Sequence, residues 1–331
     1  MSSPAQNFKW AADPDRLSVI PIQYPDIWHY YNLLASLNWT PGEVNLSGDK
    51  YDWDTKMSEE MRKFVKHILA FFSTIDSVVL SNLDENFGKE FDLMEVKYVY
   101  IQQAQQEAVH AIMYGLQIQA VTDGDEQREL LNAARNMPII VSMYAWVKKW
   151  FDKDTYTIGE RLVAFAAVEG VLFSFSFSAL QWLREMKVLS GITQANEFIM
   201  RDEGAHTDFA CMLISKYLQT RPSRPRVLEI IGEIIEILDA FIDVSMPDPL
   251  PNLTPADMHR YIRFQADYVI NKMGYGKYYK ELNPFAFMDK VAMNASVKVN
   301  FFESRSSQYQ SVVDPKLSEF TISCDDAHYA D

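Results

Sequence analysis

The sequence predicts an all-α fold. Three observations carry that prediction: apolar residues recur mostly at intervals of three and four, no Asn-Gly or Asp-Gly pair joins two alternating runs, and residues 162–183 are apolar on nearly every side. The periodicity places helices at residues 58–85, 93–121, 124–150, 158–188, 193–218, 226–244 and 255–273. Ser58 can cap the first of these, although the position three residues on is Met61 rather than the acid of a full capping box. The last begins at Thr254-Pro255, a cap residue followed by proline at the first helical position. Between the last two helices, Met246 to Pro255 is proline-rich and reads as a loop inside the domain.

The ends differ from the middle. Residues 1–56 mix Pro, Trp and Tyr without helical period and read as an irregular arm wrapping a bundle at 57–303. Residues 304–331 are polar, acidic towards the end and without a packing stripe, which predicts a flexible tail. With 48% apolar residues in 331, the chain has material for a sizeable core, and a long bundle absorbs this length as one domain.

Composition excludes several function classes. There are 31 Lys+Arg against 45 Asp+Glu, a net charge of −14, so neither a nucleic-acid grip nor docking on anionic lipid is expected. Cys211 and Cys324 are too few for a disulfide framework, and no basic region precedes an apolar run at the N-terminus, so a cytoplasmic setting is expected. Residues 162–183 have the length of a bilayer-crossing helix. Glu169 near their middle and the lack of any asymmetry in the basic flanks favour a buried central helix and no membrane. Glu169 is then a buried carboxylate in need of a reason.

That reason lies in an echo between Glu107-Ala108-Val109-His110 and Glu203-Gly204-Ala205-His206. At 100° per residue, a Glu and a His three apart sit 60° from each other and one turn along, so both reach one point. A single Glu-x-x-His is common on solvated faces. Here there are two, each in a long apolar-periodic helix, and Asp76 and Glu169 lie 31 and 34 residues before them in the preceding helices. Asp76, Glu107 with His110, Glu169, and Glu203 with His206 make up the donor set of a ferritin-like bundle with a dinuclear carboxylate centre. Four carboxylates and two neutral imidazoles carry −4, which two divalent ions cancel, as do two trivalent ions bridged by one oxide. Oxygen-rich ligation with one imidazole per metal suits iron or manganese better than zinc or copper.

At these residues the chain resembles the small, radical-generating subunit of class I ribonucleotide reductase, over most of its length from Trp39 to Tyr309. Tyr114 is four residues beyond His110 and on the same helix face; the resemblance implies that it is oxidised by the dimetal centre and O2 to a stored radical. Arg201-Asp202-Glu203-Gly204-Ala205-His206 is similar to the family's Arg-Asp-Glu-x-x-His segment, which implies that Asp202 holds His110 and the indole of Trp39 in a radical-transfer path. Phe173, Phe177 and Ile199 match the apolar wall around the radical. Asn300-Phe301-Phe302-Glu303-Ser304-Arg305 with Tyr309 resembles the family's end-of-fold segment, implying that Tyr309 relays the radical and that the acidic tail docks on the large subunit; Tyr329 is a rival relay.

The resemblance further implies a homodimer working with a separate large subunit that reduces ribonucleotides to deoxyribonucleotides for DNA synthesis. The cofactor it implies is an oxo-bridged di-iron centre, with manganese as the alternative. Two isolated cysteines could not perform dithiol reduction themselves, and no phosphate-binding loop is present, in keeping with that division of labour. A ferritin-like dimetal oxygenase acting on its own substrate, and an iron-storage ferroxidase, are the competing readings. His29, His67, His259 and His328 have no convincing carboxylate partner at metal spacing and read as structural or exposed.

Overall fold

The structure is a computed structural model and describes residues 7–11, 13 and 15–289. Among them the architecture is helical, with β pairing confined to the isolated bridges Phe8–Leu218 and Leu250–Leu253. The helices are α1 Pro25–Ser36, α2 Asp49–Thr55, α3 Glu59–Asn82, α4 Gly88–Glu90, α5 Met94–Val121, α6 Gly124–Leu131, α7 Ala133–Asn136, α8 Pro138–Trp150, α9 Ile158–Ala167, α10 Ser174–Glu185, α11 Ser190–Met212, α12 Arg224–Ser245, α13 Pro255–Lys272 and α14 Ala286–Asp289. Tyr309 and the tail 304–331 lie outside the described residues, as does the bundle's predicted end at 290–303.

Four layers enclose the centre of the bundle: α3 packs on α5, α5 on α11, and α11 on both α9 and α10. The α9–α10 unit is the apolar segment singled out in the sequence, and its most apolar window is wholly buried, as a central core helix requires. Its start is fixed by a full capping box, with Glu160 N donating to Thr157 Oγ1 (3.3 Å) and Thr157 N to Glu160 Oε2 (3.0 Å). Ser58 and Thr254 cap α3 and α13 as predicted, accepting from Met61 N (3.2 Å) and Asp257 N (3.1 Å).

Two predicted elements need correction. The segment 1–56 is not irregular throughout: it contains α1, a 3₁₀ turn at Pro41–Glu43, and α2. Helix α1 buries only a narrow stripe, chiefly Ile27 and Leu34, so its period is faint; Pro25 at its first position and Asp26 in its first turn were the available start signals. The single helix drawn over 124–150 is three: α6 and α7 part at Asn132 (φ −116°, ψ 23°), and Pro138, which lacks an N–H and pushes Met137 to an extended conformation (φ −110°, ψ 106°), starts α8 afresh with proline at its first position.

Helix α2 has a further task. Asp49 accepts from Gly191 N (3.0 Å) and Ile192 N (2.8 Å), while Asp52 accepts from Leu189 N (3.0 Å). Two carboxylates from the N-terminal region thus satisfy the free amides at the start of α11, the helix that carries Glu203 and His206.

Among the described residues, three π-helical turns interrupt the long helices, at Leu83–Phe87, Val168–Leu172 and Leu213–Tyr217. The middle one joins α9 to α10 and contains Glu169. A Cβ at the adjacent Gly170 would stand 2.5 Å from Val269 Cγ2 and 2.7 Å from Thr207 Cγ2, so only glycine lets α13 and α11 approach at this turn.

Candidate metal centre

Asp76 on α3, Glu107 and His110 on α5, Glu169 on the π-helical turn, and Glu203 and His206 on α11 converge in the middle of the bundle, all buried. They form two overlapping groups, Asp76–Glu107–His110–Glu203 and Glu107–Glu169–Glu203–His206, within each of which one donor atom per residue lies within 4.8 Å of the others. Glu107 and Glu203 belong to both. Each therefore has one oxygen for each position: His110 Nδ1 is 3.3 Å from Glu107 Oε2 and 2.9 Å from Glu203 Oε1, and His206 Nδ1 is 3.1 Å from Glu107 Oε1 and 3.0 Å from Glu203 Oε2.

The outer ring nitrogens fix the imidazoles. His110 Nε2 lies 3.2 Å from Asp202 Oδ2 and His206 Nε2 lies 2.9 Å from Gln106 Oε1. Both partners are acceptors, which places the proton on Nε2 and leaves the Nδ1 lone pair directed at the centre. Gln106 is itself anchored by donating to Leu34 O (3.1 Å). Gln103 Nε2 donates to Glu107 Oε1 (3.2 Å) and Glu169 Oε1 (3.1 Å), holding two carboxylates of the second group together. Sequence reasoning missed both glutamines, although each stands four residues before a ligand and so on the same helix face.

This donor set fits a pair of cations. Both oxygens of Asp76, Glu107 Oε2, Glu169 Oε2, Glu203 Oε1 and His110 Nδ1 are buried without a hydrogen-bond partner; the close His110–Glu203 approach lacks hydrogen-bond alignment. Buried polar atoms rarely go unsatisfied, and here the orphans face a common space. Burial, and then the charges of Glu107 and Glu203, push the Asp76 carboxyl well above the usual range, and burial with the same two neighbours does so for Glu169. Burial lowers His206, but the negative charges of Glu203 and Glu107 outweigh it and raise the imidazole to about 9. Without cations the cluster must therefore take up protons; with two, four ionised carboxylates are compensated.

Tyr114 lies on α5, and it, Phe72, Phe173, Phe177 and Ile199 are all essentially inaccessible to solvent. Phe72 stacks on the phenol ring with centroids 4.5 Å apart and 5° between planes, and lies 5.8 Å from Phe173 and 5.0 Å from Phe177. The sequence reading did not single out Phe72, though it stands four before Asp76. The Tyr114 hydroxyl has no hydrogen-bond partner among the described residues, and burial, followed by the negative charge of Asp76, holds its pKa far above the ordinary value. The phenol is thus neutral at any physiological pH.

On the other side of His110, Asp202 Oδ2 also accepts from Trp39 Nε1 at 2.8 Å. Its Oδ1 is held by Arg201, from Nε (3.1 Å) and a terminal nitrogen (3.0 Å). Trp39 is 3% exposed. A continuous hydrogen-bonded line therefore runs from the His110 imidazole through Asp202 to a buried indole.

Comparison with known proteins agrees with this geometry. The family model "Ribonucleotide reductase, small chain" matches residues 16–284. Ribonucleoside-diphosphate reductase small chains of African swine fever virus (40% identity over 94% of both chains) and of Trypanosoma brucei brucei (42% over 90% of this chain and 88% of the other) are among the similar proteins. Among solved structures, the yeast Rnr4 homodimer superposes with a TM-score of 0.75 at 30% identity, covering 90% of this chain and 91% of that one. The R2 subunit from Clostridium botulinum shares the fold with a TM-score of 0.77 at 18% identity, over 88% and 94% of the two chains. With its ferritin-like bundle and buried carboxylate–histidine cluster, the chain belongs to the ribonucleotide reductase small-chain family.

Proposed function

We propose that this chain holds two metal ions, iron or manganese, uses O2 to oxidise Tyr114 to a stored radical, and lends that oxidation to a large subunit that reduces ribonucleotides. The observation that carries this is the pair of residue groups sharing Glu107 and Glu203, with Tyr114 one turn beyond His110, buried and stacked on Phe72. Asp76 and His110 serve one ion, Glu169 and His206 the other, and the two shared glutamates both. When bound, the ions supply one-electron oxidising equivalents drawn from O2.

The chain's residues do the rest. Tyr114 gives up one electron and its phenolic proton; Asp76, with two unpartnered oxygens and the strongest charge acting on the phenol, is the proton acceptor we assign. Phe72, Phe173, Phe177 and Ile199 exclude water and hydrogen donors from the radical. Asp202 keeps the indole N–H of Trp39 and the imidazole of His110 on one oxygen, and so couples electron and proton movement between them. Beyond Trp39 we assign relay to Tyr309 and docking to the acidic tail. By analogy with the yeast homodimer, two copies pair, and we place the protein in the cytoplasm.

The test is turnover of the metal-loaded chain with its large subunit, alongside Tyr114→Phe. The variant should keep its metal content and lose deoxyribonucleotide formation; full turnover in the variant would overturn the assignment.

A further inference from the structure

We propose that the last turn of α1 supports both imidazoles of the candidate metal centre, with Gln106 as the positioning residue for His206, so that filling the centre and docking α1 stabilise each other. This rests on the dimetal reading and adds to it a helix that carries no ligand.

The two residue groups are matched in donor type: each has one carboxylate of its own, one imidazole and a share of Glu107 and Glu203. They differ in what stands behind the imidazoles. His206 Nε2 meets Gln106 Oε1 at 2.9 Å, and the Gln106 amide nitrogen donates to Leu34 O at 3.1 Å. His110 Nε2 meets Asp202 Oδ2 at 3.2 Å, Asp202 Oδ1 is held by Arg201, and Arg201 donates to Leu37 O at 2.6 Å. Two threads of different chemistry thus leave two different imidazoles and end three residues apart, at Leu34 and at Leu37, the C-cap of α1.

The end of α1 depends on these donors. A helix leaves its last carbonyls without intrahelical partners, and a cation near that end is favourable. Helix α1 has no basic residue in its own last turn; the guanidinium arrives from α11 and the amide from α5. Of its twelve residues only Ile27 and Leu34 are fully buried, and a helix of that length is not stable alone. Such an element opens locally at lower cost than the long core helices.

Gln106 converts the position of α1 into the position of a ring. It is 2% exposed, and its amide has one accepting and one donating side. With Leu34 O taking the NH2 group, the carbonyl oxygen is the side turned to His206, which holds the ring with Nδ1 toward Glu107 and Glu203. When α1 lifts, the amide loses its anchor and the ring its fixed acceptor, so an ion beside Glu169 and His206 is held less tightly. Linkage makes the effect reciprocal: an ion that prefers the docked form stabilises the docked form by the same factor. Trp39 stands two residues past Leu37, so both threads also settle the segment that brings the indole to Asp202. Loading the centre thereby orders the Trp39–Asp202–His110 line.

The test titrates the full chain with Mn(II) alone, counts bound ions by electron paramagnetic resonance, and follows amide hydrogen exchange over α1. Wild type should bind two ions and gain roughly 5-fold or more protection in α1 on loading. Gln106→Leu should bind one ion within about threefold of wild type and the other about 10- to 100-fold more weakly, and combined with Asp202→Asn it should retain no tight ion. Ile27→Ala, at a fully buried α1 residue outside both threads, should weaken binding by about 5-fold or more. Asn38→Ala cuts the bond from Gln102 Nε2 (2.8 Å) to the segment beside Trp39, which leads to no ligand, and should bind both ions as wild type does. Wild-type affinities in Gln106→Leu or in Ile27→Ala, or equal weakening of both ions in Gln106→Leu, would overturn the proposal, while two ions in wild type leave the dimetal reading intact. A wild-type chain that binds no pair of ions would overturn both. Should Gln106→Leu fail to fold, the affinities of Ile27→Ala and the exchange of α1 decide.

Discussion

Asp202 is the residue at which structure and function are most tightly joined, and Asp202→Asn perturbs both at nearly constant shape. The carboxylate accepts from Trp39 and His110 on one oxygen and from two nitrogens of Arg201 on the other, with no exposed surface of its own. An amide retains at most part of this. The charge is lost, Arg201 keeps its bond to Leu37 O (2.6 Å) but loses its buried counter-charge, and whichever way the amide is turned two of the four donor nitrogens face an NH2 group. Breaking a buried ion pair from one side costs about 3–5 kcal/mol. Taking about 3.5 kcal/mol and an unfolding entropy near 0.7 kcal/mol/K for a chain of 331 residues, Tm should fall by about 5 °C. Because Asp202 also orients His110, metal affinity should fall by roughly 10- to 100-fold. The assay is thermal unfolding with and without metal, together with metal content after dialysis, and Trp39→Phe as the control that removes one donor but leaves His110 and Arg201 held. A Tm and metal affinity for Asp202→Asn equal to those of Trp39→Phe would refute this account of the residue.

Phe72→Ala opens a void beside the Tyr114 ring and should cost about 3–5 kcal/mol in denaturant unfolding, with a radical that decays faster than in wild type; an unchanged lifetime would show that the stack does not seal the phenol. Gly170→Ala forces a methyl onto Val269 and Thr207 and should cost about 1–3 kcal/mol by the same measurement, with weaker metal retention because Glu169 is its neighbour. Glu233 is raised by burial but lowered further by Lys149 and the indole N–H groups of Trp150 and Trp146 (3.0 and 2.8 Å), for a net depression. A depressed carboxylate stabilises the fold above its unfolded pKa and loses that contribution as pH falls through the folded pKa, so the Tm difference between wild type and Glu233→Gln should be full at pH 7 and shrink in acid. A difference that grows on acidification would contradict the assignment.

What the sequence disclosed depended on whether a role could be written as a spacing. The six candidate ligands follow from two i, i+3 pairs and two carboxylates in preceding helices, and the structure brings all six together. Gln103, Gln106 and Phe72 obey the same periodicity, but glutamine and phenylalanine at such positions have many ordinary uses, so nothing marked them beforehand. The sharing of Glu107 and Glu203 between two groups is a property of four helices in space and has no one-dimensional trace. Nor do the π-helical turns: residues 168–172 look like uninterrupted helix, and only the contacts of Gly170 reveal why the turn is widened there. Helix α1 was hidden because its buried stripe is narrow, and the break before Pro138 because apolar period on both sides outweighed a single proline.

The central claim is that Tyr114 stores the oxidising equivalent, and electron paramagnetic resonance tests it most directly. Protein loaded with iron, or with manganese in the presence of an activating oxidant, is exposed to O2 beside Tyr114→Phe with the same metal content. The account predicts a tyrosyl signal in the wild-type chain and its absence in the variant. The same signal in Tyr114→Phe, or fully metal-loaded wild type that yields no tyrosyl radical with either metal, would contradict it.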